Sequence, residues 1–339
     1  FGINAGLDFN SGAPVALTDG MLNTTEGCAS ICDNSGNLLF YTDGMTVYNK
    51  NHTIMPNGSG LLGNMSSTQS AIIVKQPGSS TMYYLFTADG MSGSGGGLNY
   101  SEIDMTLDGG LGDVNANKNI NLFPFACEKV TAVTHQNGSD FWIISPELNT
   151  NIIYSFLLTS SGLSLIPIQT NAFSPVDGVG YLKGSPDGTR IVMLNSNMAN
   201  FELYSFDNAT GILTFQLQVP NLLDGPYGAE FSPNSNIVYI SDWFQGTVWQ
   251  YNLMAGSGTD IINSALNLGT AGQTGGALQL APNDKIYQAS GGGWGAGVTI
   301  LPVINNPDIV GVGCNFDING ADLGGRSSIY GLPTFFSSI

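Results

Sequence analysis

The residues most informative about the architecture read Gly180-Tyr181-Leu182-Lys183-Gly184-Ser185-Pro186-Asp187-Gly188-Thr189-Arg190-Ile191-Val192-Met193-Leu194. Two short apolar runs flank Ser-Pro-Asp-Gly-Thr in this stretch. Proline presets φ, aspartate can hydrogen-bond the backbone that follows it, and glycine accepts a positive φ. The stretch therefore predicts two antiparallel β-strands joined by a tight turn.

Similar turns recur along the chain at a nearly constant interval. They begin at Asp33, Gln76, Gln136, Ser185, Ser232 and Ala281. The gaps between these first residues are 43, 60, 49, 47 and 49 residues. Each turn follows a run of small and apolar residues and precedes a run rich in β-branched and aromatic residues. A period of about 40–50 residues is typical of propeller blades, so the turns predict six blades.

The two ends of the chain predict a seventh blade. Residues 330–336 resemble one more inner strand, and residues 1–9 and 14–17 carry strand-like runs before the first turn. Joining the two ends in one blade would close the ring and remove exposed sheet edges. The sequence thus predicts an all-β, seven-bladed β-propeller of the WD40 or YVTN type, closed by both termini. It would form a single domain over residues 1–339.

The charge balance excludes some partners. The chain has 8 Lys and Arg against 25 Asp and Glu, a formal net charge of −17. Nucleic acids and anionic membrane surfaces both require basic patches, so neither is expected as a partner. No apolar run approaches the length of a membrane span, which argues against membrane insertion. The acidic, lysine-poor composition favours a salty or extracellular setting or a protein that binds cations.

The ends of the sequence and its cysteines say less. The chain begins at Phe1 without a methionine or a signal peptide, which suggests a processed or excised piece. Four cysteines are present, Cys28, Cys32, Cys127 and Cys314. Within one strand, Cys28 and Cys32 would lie about 13 Å apart, too far for a mutual disulfide. Buried thiols and one or two long-range disulfides both remain open.

Catalytic motifs of propeller enzymes are missing from the sequence. The clustered arginines of propeller sialidases cannot be assembled from Arg190 and Arg326, the only two in the chain. No Gly-x-Ser-x-Gly nucleophile motif occurs, and His52 and His135 cannot build a histidine-rich metal site. These absences predict a domain that is not an enzyme.

Two acidic loops are candidate calcium sites. One contains Asp113, Asn115 and Asn117, and the other contains Asp317, Asn319 and Asp322. Both place oxygen ligands at alternating positions around a turn, as hard cations prefer. Neither has the closing glutamate of the helix-loop-helix calcium motif, and Asx turns would explain the same residues. Bound Ca²⁺ is therefore one of two interpretations.

The channel mouth, where the inner strands begin, is the candidate ligand site. Alignment of the blades on their turns brings seven residues to this end of the ring: Glu26, Gln69, Lys129, Asp177, Tyr227, Thr274 and Tyr330. We expect Glu26 and Lys129 to pair across the ring, and a solvated rim is the alternative interpretation. Trp243, Phe244 and Trp294 follow the middle strands and are expected on the opposite face.

Nine short stretches of the chain are distinctive: residues 4–9, 26–29, 36–44, 55–58, 109–114, 182–187, 304–307, 323–326 and 331–333. Together they resemble the N-terminal propeller of large secreted surface proteins of Bacteroidota bacteria. The resemblance covers nearly the whole chain. It implies an exported cell-surface protein related to gliding-type adhesins, tethered to PKD or Ig-like repeats and secreted by the type IX system. No catalytic residue is carried over to this chain from the resemblance.

These observations predict an extracellular recognition or adhesion head without catalytic activity. It would bind a glycan or another cell-surface ligand through the channel mouth. The alternative is a glycan lyase or hydrolase on a propeller scaffold, and a third interpretation is a structural cap or an oligomer-forming head. A pair of carboxylates facing each other in the pocket would favour the enzyme.

Overall fold

The chain folds into six β-sheets arranged around one axis. The structure is a computed structural model that describes residues 1–91, 96–220, 223–293 and 295–336. Each sheet has four or five antiparallel strands, of which the first four lie in chain order. The first strands of neighbouring sheets contact one another, so these are the inner strands of the ring. A separate two-stranded sheet at the N-terminus pairs β1 (Gly6–Asp8) with β2 (Val15–Leu17). The prediction of an all-β propeller is confirmed.

The first three blades come from the N-terminal half of the chain. Blade 1 comprises β3 (Ala29–Cys32), β4 (Leu38–Thr42), β5 (Thr46–Asn49) and β6 (Ile54–Ser59). Blade 2 comprises β7 (Ala71–Lys75), β8 (Met82–Ala88), β9 (Leu98–Asp104), β10 (Asp113–Val114) and β11 (Ile120–Phe123). Blade 3 comprises β12 (Thr131–Thr134), β13 (Phe141–Pro146), β14 (Ile152–Thr159), β15 (Gly162–Leu163) and β16 (Ile168–Asn171).

The other three blades have four strands each. Blade 4 comprises β17 (Leu182–Gly184), β18 (Arg190–Asn195), β19 (Asn200–Asp207) and β20 (Ile212–Pro220). Blade 5 comprises β21 (Pro226–Phe231), β22 (Ile237–Asp242), β23 (Thr247–Asn252) and β24 (Leu266–Thr270). Blade 6 comprises β25 (Thr274–Leu280), β26 (Ile286–Gly291), β27 (Ile300–Ile304) and β28 (Phe316–Asp322). The described helices are α1 (Gly258–Asn263) and three 3₁₀ turns, Asp108–Gly110, Ser196–Met198 and Gly311–Cys314.

Backbone hydrogen bonds between neighbouring inner strands define the ring. Tyr181 N donates to Tyr227 O at 2.8 Å, which joins blades 4 and 5. Ala277 N donates to Tyr330 O at 2.7 Å, and Tyr330 N donates to Thr25 O at 2.9 Å. Residues 330–336, named here the closing segment, therefore lie between blade 6 and blade 1. They occupy a seventh position around the axis.

The prediction of seven blades is wrong, because the seventh position does not hold a complete sheet. In the described residues the closing segment and the β1–β2 sheet share no ladder. The N-terminal and C-terminal parts touch through isolated bridges, Ile3 with Ser327 and Cys28 with Pro333. No strand stands between the closing segment and β1 in the parts of the chain that are described. The termini thus meet without forming a blade.

The second strand of each blade is buried on both faces. All six residues of β22 are buried, and the other second strands are buried over most of their length. Ile237 and Tyr239 pack in a cluster with Leu278 of blade 6. The alternate residues Val238 and Ile240 pack in the main core cluster. Side chains alternate across a strand, so one second strand joins two blades and must be apolar on both sides.

The four cysteines are free thiols. Cys28, Cys127 and Cys314 are buried, and Cys32 is exposed. Burial raises the pKa of the Cys28 thiol to about 11, since a thiolate is poorly solvated there. The sequence left thiols and disulfides open, and the structure has a free thiol at each of the four cysteines.

The turn between β17 and β18 has the predicted conformation. Gly188 has a φ of +68°, and its N–H donates to Ser185 O at 2.9 Å. The Asp187 carboxylate accepts hydrogen bonds from the Ser185 hydroxyl and from the Thr189 N–H. These bonds hold the pKa of Asp187 below its usual range despite partial burial. The turn is therefore fixed by its own side chains.

Replacing Gly188 with valine should lower the free energy of unfolding by about 1–2 kcal/mol. A β-branched residue is strained at this φ, and its Cβ would lie 3.2 Å from Cγ1 of Val133. Gly138 is a matched control, because it has a φ of +73° and no atom within 4 Å of a built Cβ. Urea unfolding should show a larger loss for Gly188→Val than for Gly138→Val. Equal losses would mean that crowding against blade 3 contributes nothing.

Candidate functional site

The antiparallel pairing of each blade determines which residues lie at the channel mouth. In blade 5, Pro226 at the start of the inner strand pairs with Asp242 at the end of the second strand. One strand of an antiparallel pair begins where its partner ends. Residues just after each second strand therefore share an end of the ring with residues just before each inner strand. The channel mouth is built from both sets.

Polar side chains fill the channel below its mouth. The Gln69 amide spans from blade 2 to blade 4, where it accepts from Leu182 N at 2.8 Å and donates to Leu182 O at 3.1 Å. Lys183 Nζ lies 2.8 Å from Glu230 Oε2, 3.2 Å from Gln279 Oε1 and 3.0 Å from Phe335 O. These contacts tie non-adjacent blades together. Gln69 is thus part of the channel filling, because its amide oxygen and its amide nitrogen are both bonded to Leu182.

Lys129 is buried and does not pair with Glu26. Its ammonium donates to the backbone oxygens of Asp177 and Val179. Burial lowers the pKa of Lys129, and the nearby acidic groups oppose that effect. The predicted Glu26–Lys129 pair is therefore wrong among the described contacts, because the lysine turns toward the carbonyls of blade 4. Lys129 links two blades.

Asp177 organises the loop in front of blade 4. One carboxylate oxygen accepts from Val179 N at 2.8 Å and from Asn197 Nδ2 at 3.0 Å, and the other accepts from Asn197 N at 2.6 Å. The side chain is buried. Both oxygens are thus used within the protein. Asp177 holds the loop of blade 4 against the 3₁₀ turn after β18.

Glu26 and Glu128 form a pair of carboxyl groups at the channel mouth. Glu128 is buried and accepts hydrogen bonds from Thr68 N at 3.0 Å, the Thr68 hydroxyl at 2.9 Å and Met91 N at 2.8 Å. Glu26 is only partly buried, and Ser66 donates to it weakly at 3.4 Å. Burial first, and then the charge of Glu128, raise the pKa of Glu26 to about 8. Glu26 therefore carries its proton at neutral pH.

Four aromatic rings continue from this pair along the channel mouth. The centroids of Tyr181 and Tyr227 are 6.1 Å apart, those of Tyr227 and Trp243 are 4.7 Å apart, and those of Trp243 and Tyr330 are 4.2 Å apart. Tyr227 is 1% exposed, so it offers no free aromatic surface. Tyr227 lies beside Glu26, whose charge adds to burial in raising the tyrosine pKa. Tyr181 and Tyr330 are buried as well, so Trp243 is the one ring of the four that is partly exposed.

Trp243 and Phe244 lie at the channel mouth, and their predicted placement on the opposite face is wrong. Both follow β22, which ends where β21 begins. Asp242 is buried and accepts from Phe244 N at 2.9 Å and from Asp224 N at 2.8 Å, which fixes their loop. Trp243 is partly exposed, and Phe244 is 66% exposed. Trp294 lies outside the described residues.

The remaining predicted channel-mouth residues also come together, although they are largely enclosed. A Cβ built on Gly291 would lie 2.6 Å from the Thr274 hydroxyl and 2.5 Å from the Tyr330 ring. The Tyr330 hydroxyl accepts from Gly295 N at 2.7 Å. Tyr330 is buried, so it packs the junction between blade 6 and the closing segment. Whether any of the seven predicted residues binds a ligand stays a prediction.

Sequence reasoning missed Glu128 and misplaced Trp243. Alignment on the turns selected Lys129, while the carboxyl group that couples to Glu26 belongs to the residue before it. Neighbouring residues in an extended segment point to opposite sides, so an error of one position changes the chemistry of the site. The antiparallel order of strands was the available signal for Trp243.

The oxygens of the two candidate calcium loops hydrogen-bond within the protein. Asp113 accepts from Asn57 N at 2.7 Å, and Asn115 accepts from Asn117 N at 2.7 Å. In the second loop, Asp317 accepts from Asn319 N at 2.9 Å, and Asp322 accepts from Gly324 N at 2.8 Å. Among the described residues, no group of three His, Cys, Asp or Glu side chains is placed to hold a metal. Calcium binding stays a prediction.

No family model matches the chain, and no curated protein does. Solved structures do resemble it. A “putative 6-phosphogluconolactonase” from Bacteroides uniformis is 13% identical with a TM-score of 0.58, and the match covers 97% of this chain and 92% of that one. A second protein of that description, from Bacteroides fragilis, is 13% identical with a TM-score of 0.56 over 94% and 88% of the two chains. A protein from Lactobacillus plantarum is 13% identical, with a TM-score of 0.56 over 94% and 92%.

These similarities place the chain in the β-propeller fold class. They also correct the expectation that the chain is not an enzyme, since two of the similar structures carry an enzyme's name. That expectation rested on missing motifs, and a carboxyl pair built from distant blades leaves no motif. At 13% identity the likeness shows the fold alone, so any reaction has to be argued from the channel mouth. No described helix is long and apolar enough to cross a membrane.

Proposed function

We propose that the chain is a hydrolase that cleaves a C–O bond of an uncharged carbohydrate at the channel mouth. The observation that carries this proposal is the raised pKa of Glu26, about 8, in a partly accessible position beside a second carboxyl group. A carboxylic acid that keeps its proton at neutral pH can act as a general acid. Perturbed acids in clefts are candidates for catalysis.

In this mechanism Glu26 is the proton donor. Its proton passes to the leaving oxygen as the C–O bond breaks, so the leaving group departs as a neutral hydroxyl. Water supplies the hydroxyl that bonds to the carbon, and the second water proton restores the acid form of Glu26. Glu128 is a positioning residue, because its oxygens are occupied by Thr68 and Met91. Burial, and then the charge of Glu128, keeps the proton on Glu26.

The surroundings of Glu26 favour an uncharged substrate. Trp243 and Phe244 offer flat apolar area, which suits the apolar face of a sugar ring. Lys129, the cation among the seven predicted channel-mouth residues, donates its protons to backbone oxygens. A phosphorylated lactone, as the name of the two Bacteroides proteins implies, would meet carboxyl groups there. The same argument disfavours a lyase acting on uronic acids, whose carboxylate needs a cation.

We also propose that the protein works outside the cell, attached to a bacterial surface. The support is the lysine-poor composition, the net charge of −17 and the resemblance to Bacteroidota surface proteins. In this setting PKD or Ig-like repeats would tether the propeller, and an extracellular glycan would be its substrate. Fractionation of the native host, with antibodies against this domain, would test the location.

Hydrolysis of neutral alkyl glycosides and neutral aldonolactones should be detectable with the purified chain. Replacing Glu26 with glutamine should lower kcat by about 10²- to 10⁴-fold, because the amide cannot donate the proton. Activity of the wild type should fall above about pH 8 as Glu26 ionises. Phe244→Ala should raise KM while kcat changes little, since the ring contacts substrate without joining the reaction.

Asp284→Asn is the matched control for the loss of a carboxylate. Asp284 lies in the turn between β25 and β26, at the other end of its blade, and its replacement should leave turnover unchanged. Turnover that survives Glu26→Gln would overturn the assigned role of Glu26. Failure of the folded protein to hydrolyse any neutral substrate would overturn the proposed reaction class.

A further inference from the structure

A large cavity lies at the seventh position of the ring, away from the channel mouth. Its volume is about 750 Å³, and it is enclosed by blade 1, blade 6, the β1–β2 sheet and the closing segment. Most of the lining is apolar. It includes Leu7, Leu17, Leu38, Tyr287, Leu301 and Leu332. Cavities of this size and character are sites where ligands bind.

The cavity coincides with the place of a second strand. In each complete blade a second strand pairs with the inner strand on one edge and with the third strand on the other. At the seventh position, the closing segment takes the inner place, β1 pairs with β2, and residues of both line the cavity. Described backbone hydrogen bonds of the closing segment go to blades 1 and 6, and none joins it to residues 6–8. One edge of β1 is thus unpaired in the described structure.

The walls of the cavity have the character that a second strand requires. One wall belongs to blade 1, with Leu38 and Tyr41, and the facing wall belongs to blade 6, with Tyr287 and Leu301. Second strands elsewhere in the ring meet two apolar walls of this kind and are apolar on both faces. An occupant that matches both walls and both edges is therefore an extended apolar polypeptide.

We propose that this cavity binds one extended strand of a separate polypeptide, which completes the seventh blade by adding between the closing segment and β1. The strand would be five to seven residues long, the range from β4 to β8. Strand addition of this kind takes its affinity from main-chain hydrogen bonds and its specificity from alternating side-chain pockets. This inference concerns a different part of the molecule from the proposed hydrolysis and does not rest on it.

The rim of the cavity adds a charge preference. Asp8, Asp19 and Asp33 line it, together with Lys50 and His52. Burial raises the pKa of the nearby Cys32 thiol, and the carboxylates of Asp33 and Asp8, which lie close to it, raise it further. The flanks of the bound strand should therefore be basic.

The test uses a synthetic peptide with the sequence of residues 237–241, which belong to a second strand of this chain, flanked by two lysines at each end. It should bind the 339-residue chain with a 1:1 stoichiometry in calorimetry. Hydrogen exchange at residues 6–8 should slow by about tenfold or more on binding, because new main-chain bonds form there. The same peptide with N-methylated alternate amides keeps its side chains and should bind about tenfold or more weakly.

Variants of the chain locate the binding. Leu7→Trp should fill the cavity from the side of β1 and weaken peptide binding by about tenfold or more. Leu38→Trp should have the same effect on peptide binding by filling the cavity from blade 1. Leu165→Trp is the matched control, because Leu165 is exposed and far from the cavity in blade 3. Thermal melting identifies a variant that fails to fold. If one cavity variant fails to fold, the binding measured with the other one tests the location of the peptide.

Three results would overturn the proposal. The first is equal binding of the N-methylated peptide, which would mean that the cavity takes apolar molecules without strand pairing. The second is no binding of the unmodified peptide. The third is a stable dimer of the chain alone that already protects residues 6–8, which would make a second copy the occupant.

Discussion

Replacing Lys183 with methionine should lower the free energy of unfolding by about 3–5 kcal/mol. The ammonium of Lys183 lies 2.8 Å from Glu230 Oε2, and the two side chains are 2% and 0% exposed. Glu230 also accepts from Phe231 N at 2.9 Å and from Leu280 N at 2.8 Å. Methionine fills similar space but leaves a buried carboxylate without its counter-charge. Urea unfolding followed by tryptophan fluorescence measures the loss.

Two further variants separate charge from packing in this cluster. Lys75→Met removes an exposed lysine at the end of β7 and should change stability by less than about 0.5 kcal/mol. Glu230→Gln combined with Lys183→Met removes both charges and should recover most of the loss. If the single and double variants were equally unstable, packing around the lysine stem would account for the effect.

Replacing Glu26 with glutamine should change how the free energy of unfolding depends on pH. Glu26 has a pKa of about 8 in the folded chain, against 4.5 without the protein environment. Between these values the folded state holds a proton that the unfolded state has lost, so the wild type loses stability as pH rises from about 4.5 to about 8. Glu26→Gln lacks this loss. The stability of the variant minus that of the wild type should therefore increase between pH 4.5 and pH 8.5. After discounting for partial exposure, this increase should be on the order of 3 kcal/mol.

The measurement is urea unfolding of both proteins at several pH values between 4.5 and 8.5. Groups that titrate identically in both proteins cancel in the difference, so the difference follows Glu26 alone. Asp284→Asn should give a curve parallel to the wild type. A constant difference between Glu26→Gln and the wild type would show that Glu26 titrates in the usual acidic range, and it would remove the basis for a general acid.

The architecture was largely predictable because short-range sequence patterns specify each blade. Each blade carries its own turn, and turn residues such as those around Gly188 act within a few positions. The number of blades was not predictable in the same way. Residues 330–336 and 1–9 do have strand character, but a ladder needs partners at the right distance. The periodicity of the turns does not report that distance.

The candidate site was only partly predictable, because its chemistry arises between blades. Alignment found Glu26, yet its pKa is raised first by burial and then by the charge of Glu128, which belongs to another blade. The Lys129 ammonium binds the carbonyls of Asp177 and Val179, and no spacing rule predicts these partners. Desolvation is likewise a property of the packed ring. Sequence reasoning can place residues on a face of the ring, but it does not give the electrostatic interactions between side chains of different blades.

The meeting of the two chain ends has a consequence for the order of folding. The blades form from neighbouring hairpins, whereas ring closure joins residues as distant as Arg326 and Thr18, 308 positions apart. The entropic cost of closing a loop grows with its length, and contacts between distant residues slow folding. We therefore expect an arc of blades to assemble first and the closing segment to dock last. A nascent chain would remain an open arc until residues 330–336 are made.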